Sequence, residues 1–148
     1  MKLIHVLASA AIALGSSALP ALSANFEVKM LNKGTDGVMV FEPALTEIAV
    51  GDTVTFVPTD PSHNAESMKD IMPEGATPFK GKINKEVKVT FDKAGVYGVK
   101  CLPHFSMGMV ALVVVGDDKS NLESVKSAKM APKAKARMEP LLAKLAGN

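Results

Sequence analysis

Gly95-Val96-Tyr97-Gly98-Val99-Lys100-Cys101-Leu102-Pro103-His104-Phe105-Ser106-Met107-Gly108-Met109-Val110-Ala111-Leu112-Val113-Val114-Val115 is the stretch that decides how this chain is built. Val96 to Cys101 and Gly108 to Val115 are rich in β-branched residues, bounded by Gly95 and by Gly116-Asp117, and read as two strands joined by a loop. The same texture extends upstream. Phe26, Val28 and Met30 alternate with Glu27, Lys29 and Leu31, and Asn32-Lys33-Gly34 reads as a turn. Val38 to Phe41, Leu45 to Val50 and Thr53 to Val57 are short runs punctuated by Pro43, Gly51-Asp52 and Pro58. Val87, Val89 and Phe91 alternate with Lys88 and Thr90, as a strand with one wet face does. Asn64 to Ile83 is irregular, with one helical turn expected over Glu66 to Ile71. Seven or eight short strands in about 90 residues, with no useful helical pattern between them, predict a mostly-β fold: a Greek-key antiparallel sandwich or barrel.

The two ends of the chain differ from this middle. Lys2, the apolar run Leu3 to Leu14 and the small-residue stretch Gly15 to Ala24 with Pro20 have the order of a secretory signal peptide, cleaved after Ser23 or Ala24. The apolar run is too short for a bilayer span, and no later stretch supplies one. What remains is about 125 residues, the size of one domain. After Asp118 the signals turn helical. Ser120 and Glu123 have capping-box spacing, and Leu122, Val125 and Ala128 recur at helical intervals. Beyond Pro132, an apolar stripe of Ala134, Met138, Leu141, Leu142 and Leu145 predicts a second helix, bent at Pro140 or beginning late. Seven basic and two acidic residues follow Asp118. A cationic docking tail and a pair of helices packed on the sandwich both fit, and the apolar stripe favours packing. The expected organisation is residues 1–23 leader, 24–116 sandwich, and 117–148 helical extension on the same domain.

Composition then narrows the chemistry. Of 148 residues, 47% are hydrophobic and 22% charged, which excludes collagen-like and disordered classes. A single Cys excludes an internal disulfide. A net charge of +2 is too small for a typical nucleic-acid binder. Without the leader, whose His5 goes with it, only His63, His104 and Cys101 remain of the strong soft-metal ligands. No paired carboxylates, nucleophile–base pair or phosphate-binding glycine loop suggests an enzyme, and Cys101 and His104, separated by two residues including Pro103, make a poor thiol-protease dyad. A thiolate, two imidazoles and a weak thioether are instead the ligand set of a blue-copper electron-transfer centre. A structural zinc site would use more thiolates.

At this point the chain resembles a known family. Cys101, His104 and Met109, spaced Cys-x2-His-x4-Met, look like the copper loop of the cupredoxins. Glu27 to Gly34, Met39-Val40-Phe41-Glu42-Pro43, Pro58-Thr59-Asp60, His63-Asn64, Met72-Pro73-Glu74-Gly75 and Met107-Gly108-Met109 are similar to the pseudoazurin branch, over essentially the whole chain after the leader. The resemblance implies a cupredoxin-like sandwich with two C-terminal α-helices and one copper ion, cycling Cu(I)/Cu(II), held by His63, Cys101, His104 and Met109. Met107 would suit the shorter loop of amicyanins. It also implies a monomeric periplasmic one-electron shuttle whose partners are copper nitrite reductase or c-type cytochromes. An amicyanin-like carrier serving another periplasmic dehydrogenase, and a copper carrier or storage protein, are the alternatives; dispersed Met residues weigh against storage.

By the same resemblance, His104 reaches the surface through a patch lined by Met39, Pro43, Pro103 and Met107. Lys33, Lys80 and Lys100 rim it and steer an acidic partner. Pro61 stands where the family carries another lysine, and Leu102 where Thr is common. Asn64, directly after the first ligand histidine, is expected to donate its N–H to the thiolate and to tie the two ligand regions together. Pro103 has no N–H to add. Pro103→Ala is therefore expected to raise the reduction potential, since an added donor withdraws charge from sulfur; a lower or unchanged midpoint in voltammetry would contradict this.

Overall fold

The computed structural model describes residues 22–147, so the expected leader, residues 1–23, lies almost wholly outside the described residues. Eight strands and two helices follow in order: β1 (Asn25–Gly34), β2 (Gly37–Glu42), β3 (Leu45–Ile48), β4 (Thr53–Pro58), β5 (Glu66–Ser67), β6 (Val87–Thr90), β7 (Gly95–Lys100), β8 (Val110–Val115), α1 (Leu122–Ser127) and α2 (Pro132–Ala146). A 3-10 turn, Phe105–Met107, sits between β7 and β8. The strands form two four-stranded sheets, ordered β2-β1-β4-β6 and β3-β8-β7-β5. The sandwich with two C-terminal helices is as expected, but its pairing is mixed. β1 runs parallel to β4, with Val28 opposite Phe56, and β3 runs parallel to β8, with Ile48 opposite Val115. These partners are distant in sequence. Local alternation reports hairpins and cannot reveal which strand returns alongside which.

β8 explains the layering. All six of its residues are buried, because its two faces have different neighbours. Ala111, Val113 and Val115 point into the sandwich with Val28, Met30, Phe41, Phe56, Phe91 and Val99. Val110, Leu112 and Val114 point the other way, against Val125, Ala134, Met138, Leu141, Leu142 and Leu145 of the helices. A strand apolar on both faces needs a cover on each, and the helices supply the second. Five of the seven basic residues after Asp118 (Lys126, Lys133, Lys135, Arg137 and Lys144) thus belong to helices packed on the sandwich.

Several local expectations are corrected. β1 runs on through Asn32-Lys33-Gly34, and its turn falls at Thr35-Asp36, where the Glu42 side chain accepts hydrogen bonds from both the N–H and the hydroxyl of Thr35. Glu66–Ser67 form a strand rather than a helical turn, pairing with Lys100 and Val99 of β7. The capping box does not form. The N-cap of α1 is Asn121, whose side chain accepts from Val96 N–H (3.0 Å) and donates to Val96 C=O (2.8 Å), while Glu123 pairs with Lys126 at 2.6 Å. α2 starts early, with Pro132 in its first turn, and continues through Pro140, a position where the missing N–H is offset by the burial of Met138 before it and Leu141 and Leu142 after it.

Gly98 shows how tightly the segment before the site is seated. Met68 N–H donates to Gly98 C=O at 2.8 Å and Gly98 N–H to Ile71 C=O at 2.7 Å, pulling this loop onto β7. A Cβ on Gly98 would stand 2.8 Å from Ile71 Cγ2 and 2.9 Å from Ile71 Cβ. Ile71 is fully buried and has nowhere to go. Gly98→Ala is expected to destabilise the protein by about 1–3 kcal/mol through overpacking, measured as a lowered urea midpoint at unchanged m-value.

Candidate metal centre

The site lies at one end of the sandwich, where β7 runs out. Cys101 follows its last residue and is completely buried. The chain then crosses Leu102-Pro103 and returns through the 3-10 turn, Met107 N–H bonding His104 C=O at 3.0 Å and Gly108 N–H bonding Phe105 C=O at 3.0 Å. Gly108 has φ +92°, and a Cβ there would lie 2.9 Å from the Lys133 carbonyl of α2, so only glycine lets the loop close this tightly against the helix. Met109 then pairs back: Cys101 N–H donates to Met109 C=O at 3.1 Å and Met109 N–H to His104 C=O at 3.2 Å.

His63 arrives from the loop after β4. It is fully buried, and its backbone is bracketed by Asn84, which donates its N–H to His63 C=O at 2.8 Å and accepts from Ser62 N–H at 2.5 Å. Its Nε2 faces the Asn32 side-chain oxygen at 2.9 Å. That contact puts the ring proton on Nε2 and leaves Nδ1 as a lone pair. Nδ1 points at the other two groups. It lies 3.1 Å from His104 Nδ1 and 3.7 Å from Cys101 Sγ, while His104 Nδ1 lies 3.5 Å from Sγ. Three lone-pair donors at such edges fit a single first-row metal ion at their centre, since bonds of about 2.0–2.3 Å to nitrogen and sulfur span those separations. Among the described residues this is the cluster of His, Cys or acidic side chains able to hold a metal.

The two methionines part here. Met109 is fully buried in the same core cluster as Cys101, whereas Met107 is 39% exposed. His104 is half-buried, Pro43, Pro103 and Met107 are exposed, and Met39 is half-buried. Lys33 and Lys80 are exposed, while Lys100 is drawn in.

Burial pushes the Cys101 thiol upward in pKa, as a desolvated anion requires; the backbone N–H groups of Asn64 and His104 oppose this, and the Glu66 carboxylate reinforces it. The Asn64 donor is as expected. The His104 N–H, one residue beyond the proline, donates to the Cys101 C=O at 3.2 Å. Burial lowers the His63 pKa, helped by neighbouring His104, which keeps the imidazole neutral and ready to ligate. The Asn64 side chain joins the two ligand regions, accepting from Leu102 N–H at 2.7 Å and donating to Gly81 C=O at 3.1 Å.

Sequence reading missed three supports: Asn32, Asn84 and Arg137. Each acts through a neighbour distant in sequence, and an Asn in a turn or an Arg on a basic helix carries no distinguishing signal. Arg137 of α2 donates to the carbonyls of Val38 and Met39, both at 2.7 Å, and to Gly108 at 3.4 Å. Met39 holds a φ of 53°, an unfavourable conformation for a side chain of its size that this clasp helps maintain. Arg137→Ala is expected to cost about 1.5–3 kcal/mol, typical of charge-assisted hydrogen bonds. Arg137→Lys is expected to recover only part of this, because a single ammonium cannot reproduce the fork. Urea denaturation of the copper-free protein measures both.

Comparison with known proteins agrees with this geometry. Residues 28–116 match the family described as copper binding proteins, plastocyanin/azurin family. A pseudoazurin of Paracoccus pantotrophus is 54% identical over 141 residues, 95% of this chain and 97% of that protein. The crystal structure of pseudoazurin from Methylobacterium extorquens AM1 superposes with a TM-score of 0.80 at 50% identity, covering 82% of this chain and 98% of that one. Native pseudoazurin from Hyphomicrobium denitrificans gives 0.77 at 47% identity, covering 81% and 97%. The chain therefore belongs to the plastocyanin/azurin family of copper-binding proteins, in its pseudoazurin branch of cupredoxin electron carriers.

Proposed function

We propose that this chain is a soluble periplasmic shuttle that carries one electron at a time on a type 1 copper centre held by His63, Cys101, His104 and Met109. The observation that carries the reading is the partly buried triangle of two imidazole Nδ1 atoms and one thiol, with edges of 3.1, 3.5 and 3.7 Å, closed on itself by the Met109 backbone. Bound copper supplies the exchangeable electron, passing between Cu(I) and Cu(II). The protein makes no bond in a substrate and is not an enzyme. Its residues hold the donors still. Asn32 fixes the His63 ring, Asn64 fixes the chain after Cys101, and the Met109–Cys101 backbone pair fixes the loop, so little has to move when charge changes.

His104 is the exit. Its ring lies at the partly exposed edge of the site, and the exposed apolar side chains of Pro103, Met107 and Pro43 offer a small surface that a partner can dry out and leave quickly. Lys33, Lys80 and Lys100 steer an acidic partner to it; the partners are redox proteins, copper nitrite reductase or a c-type cytochrome. Residues 24–116 and 117–148 act as one domain, a monomer, exported by the leader 1–23 and working in the periplasm. Among the described residues no helix is long and apolar enough to cross a membrane.

Copper loading of the purified copper-free protein tests the centre. The expected result is an intense blue thiolate-to-copper band and an EPR spectrum with narrow hyperfine splitting, both lost in Cys101→Ser. Met109→Leu should keep the colour but raise the midpoint potential, while Met107→Leu leaves both unchanged. A colourless copper complex would leave a carrier or storage protein as the reading. In stopped-flow reduction by an acidic redox partner, the rate should fall steeply from low to high salt; a flat profile would remove the lysine rim from the mechanism.

A further inference from the structure

Glu66 is a buried carboxylate that the electron-transfer reading leaves unused. It sits in the two-residue strand β5, and the register places it between two lysines: Lys100 is its antiparallel partner in β7, and Lys80 is its partner in an isolated bridge on the other side. Its side chain is only 10% exposed. Glu66 Oε1 is 3.4 Å from Lys100 Nζ, and Oε2 is 4.0 Å from Lys80 Nζ. Oε2 also accepts from Asn64 Nδ2 at 3.3 Å. That last contact sets the Asn64 amide. With Nδ2 committed to Glu66 and Gly81, the Asn64 oxygen faces the Leu102 N–H, directly after Cys101.

We propose that Glu66 couples the cationic face to the metal centre, anchoring Lys80 and Lys100 beside it and holding the Asn64 amide that fixes the loop after Cys101, so that a change in these lysines is read as a change in reduction potential. The proposal rests on the blue-copper reading. A negative charge near the site favours the oxidised ion, and a positive charge the reduced one. Lys100 is held in place on both sides, paired with Glu66 and lying 5.3 Å from the centre of the Phe105 ring, with its side chain 25% exposed. Without the carboxylate the Lys100 ammonium loses its partner and swings into water, and Lys80, already 72% exposed, loses its 4.0 Å contact, so solvent and salt screen both. The effect of the lysines at the metal therefore depends on Glu66, and an acidic partner that draws Lys80 and Lys100 toward itself changes the driving force for the electron as it docks.

Anaerobic redox titration of copper-loaded native protein, Glu66→Gln, Lys80→Gln/Lys100→Gln and the triple variant tests the coupling. Glu66→Gln keeps an oxygen for Asn64 but removes the charge. It should favour the reduced form at least threefold at fixed solution potential. The lysine pair should shift the native protein the opposite way, and by less than half as much when Glu66 is Gln. Equal midpoints in native protein and Glu66→Gln, or lysine shifts that simply add, would overturn the proposal. Hydrogen exchange in the copper-free proteins gives a readout independent of the metal: the Leu102 amide should exchange at least tenfold faster in Glu66→Ala and within twofold of native in Glu66→Gln. Unchanged exchange in Glu66→Ala would refute the positioning role. Failure of the blue-copper reading looks different, as a native protein that stays colourless on copper loading.

Discussion

Three lone pairs crowded within 3.7 Å of one another, two of them on fully buried side chains, are the constraint on which the rest of the molecule depends. Unfilled, they gain little from each other: a thiol that burial keeps protonated, and an imidazole that burial keeps neutral. Such a cluster persists only if the backbone around it is held by other means. Each donor has its own tether. His63 is bracketed by Asn84 and Asn32, Cys101 extends β7 and pairs with Met109, and His104 is wound into a tight turn closed by Gly108. The tethers are hydrogen bonds between segments far apart in sequence, so the folded sandwich itself sets the ligand geometry. A centre built this way changes charge with little reorganisation.

The chemistry was far more legible than the scaffolding. With one Cys in the chain and two His after residue 23, the donor set was nearly determined by scarcity, and the Cys-His-Met spacing placed three of its members on one loop. Strand positions were also readable, because Val-rich runs between Gly and Pro leave little alternative. Strand partners were not. The two parallel pairs, β1 with β4 and β3 with β8, depend on a connectivity that alternation does not encode. Glu66–Ser67 read as helical because its neighbours are good helix formers, yet its backbone bonds are taken by β7 and by Phe79. At Ser120–Glu123, two tertiary bonds from Asn121 to Val96 outweighed a local capping pattern.

The choice between Met107 and Met109 shows what structure adds. Spacing admits both, and resemblance selects one. Burial gives an independent reason: Met109 shares the core with Cys101, while Met107 stands partly in solvent on the outer side of the same turn. One turn thus places one thioether toward the interior and another at the surface, where it adds to the apolar patch around His104.

The loop between β7 and β8 is gripped from two sides by groups of opposite charge. On one side Arg137 reaches from α2 to the carbonyls of Val38, Met39 and Gly108, neutral partners that leave its positive charge uncompensated by any of these contacts. On the other, Glu66 holds Asn64 and two lysines. The helices are therefore more than a cover for β8. By carrying Arg137, α2 ties the core that faces away from the sandwich to the turn beside His104, so a disturbance of helix packing is transmitted to the metal loop by a rigid side chain. Glu66 works in the reverse sense, linking the loop to Lys100, which is drawn in, and to Lys80 at the surface. One clamp resists movement of the site and the other lets the surface charge be felt there, a division suited to a centre that must stay still while its surroundings change partner.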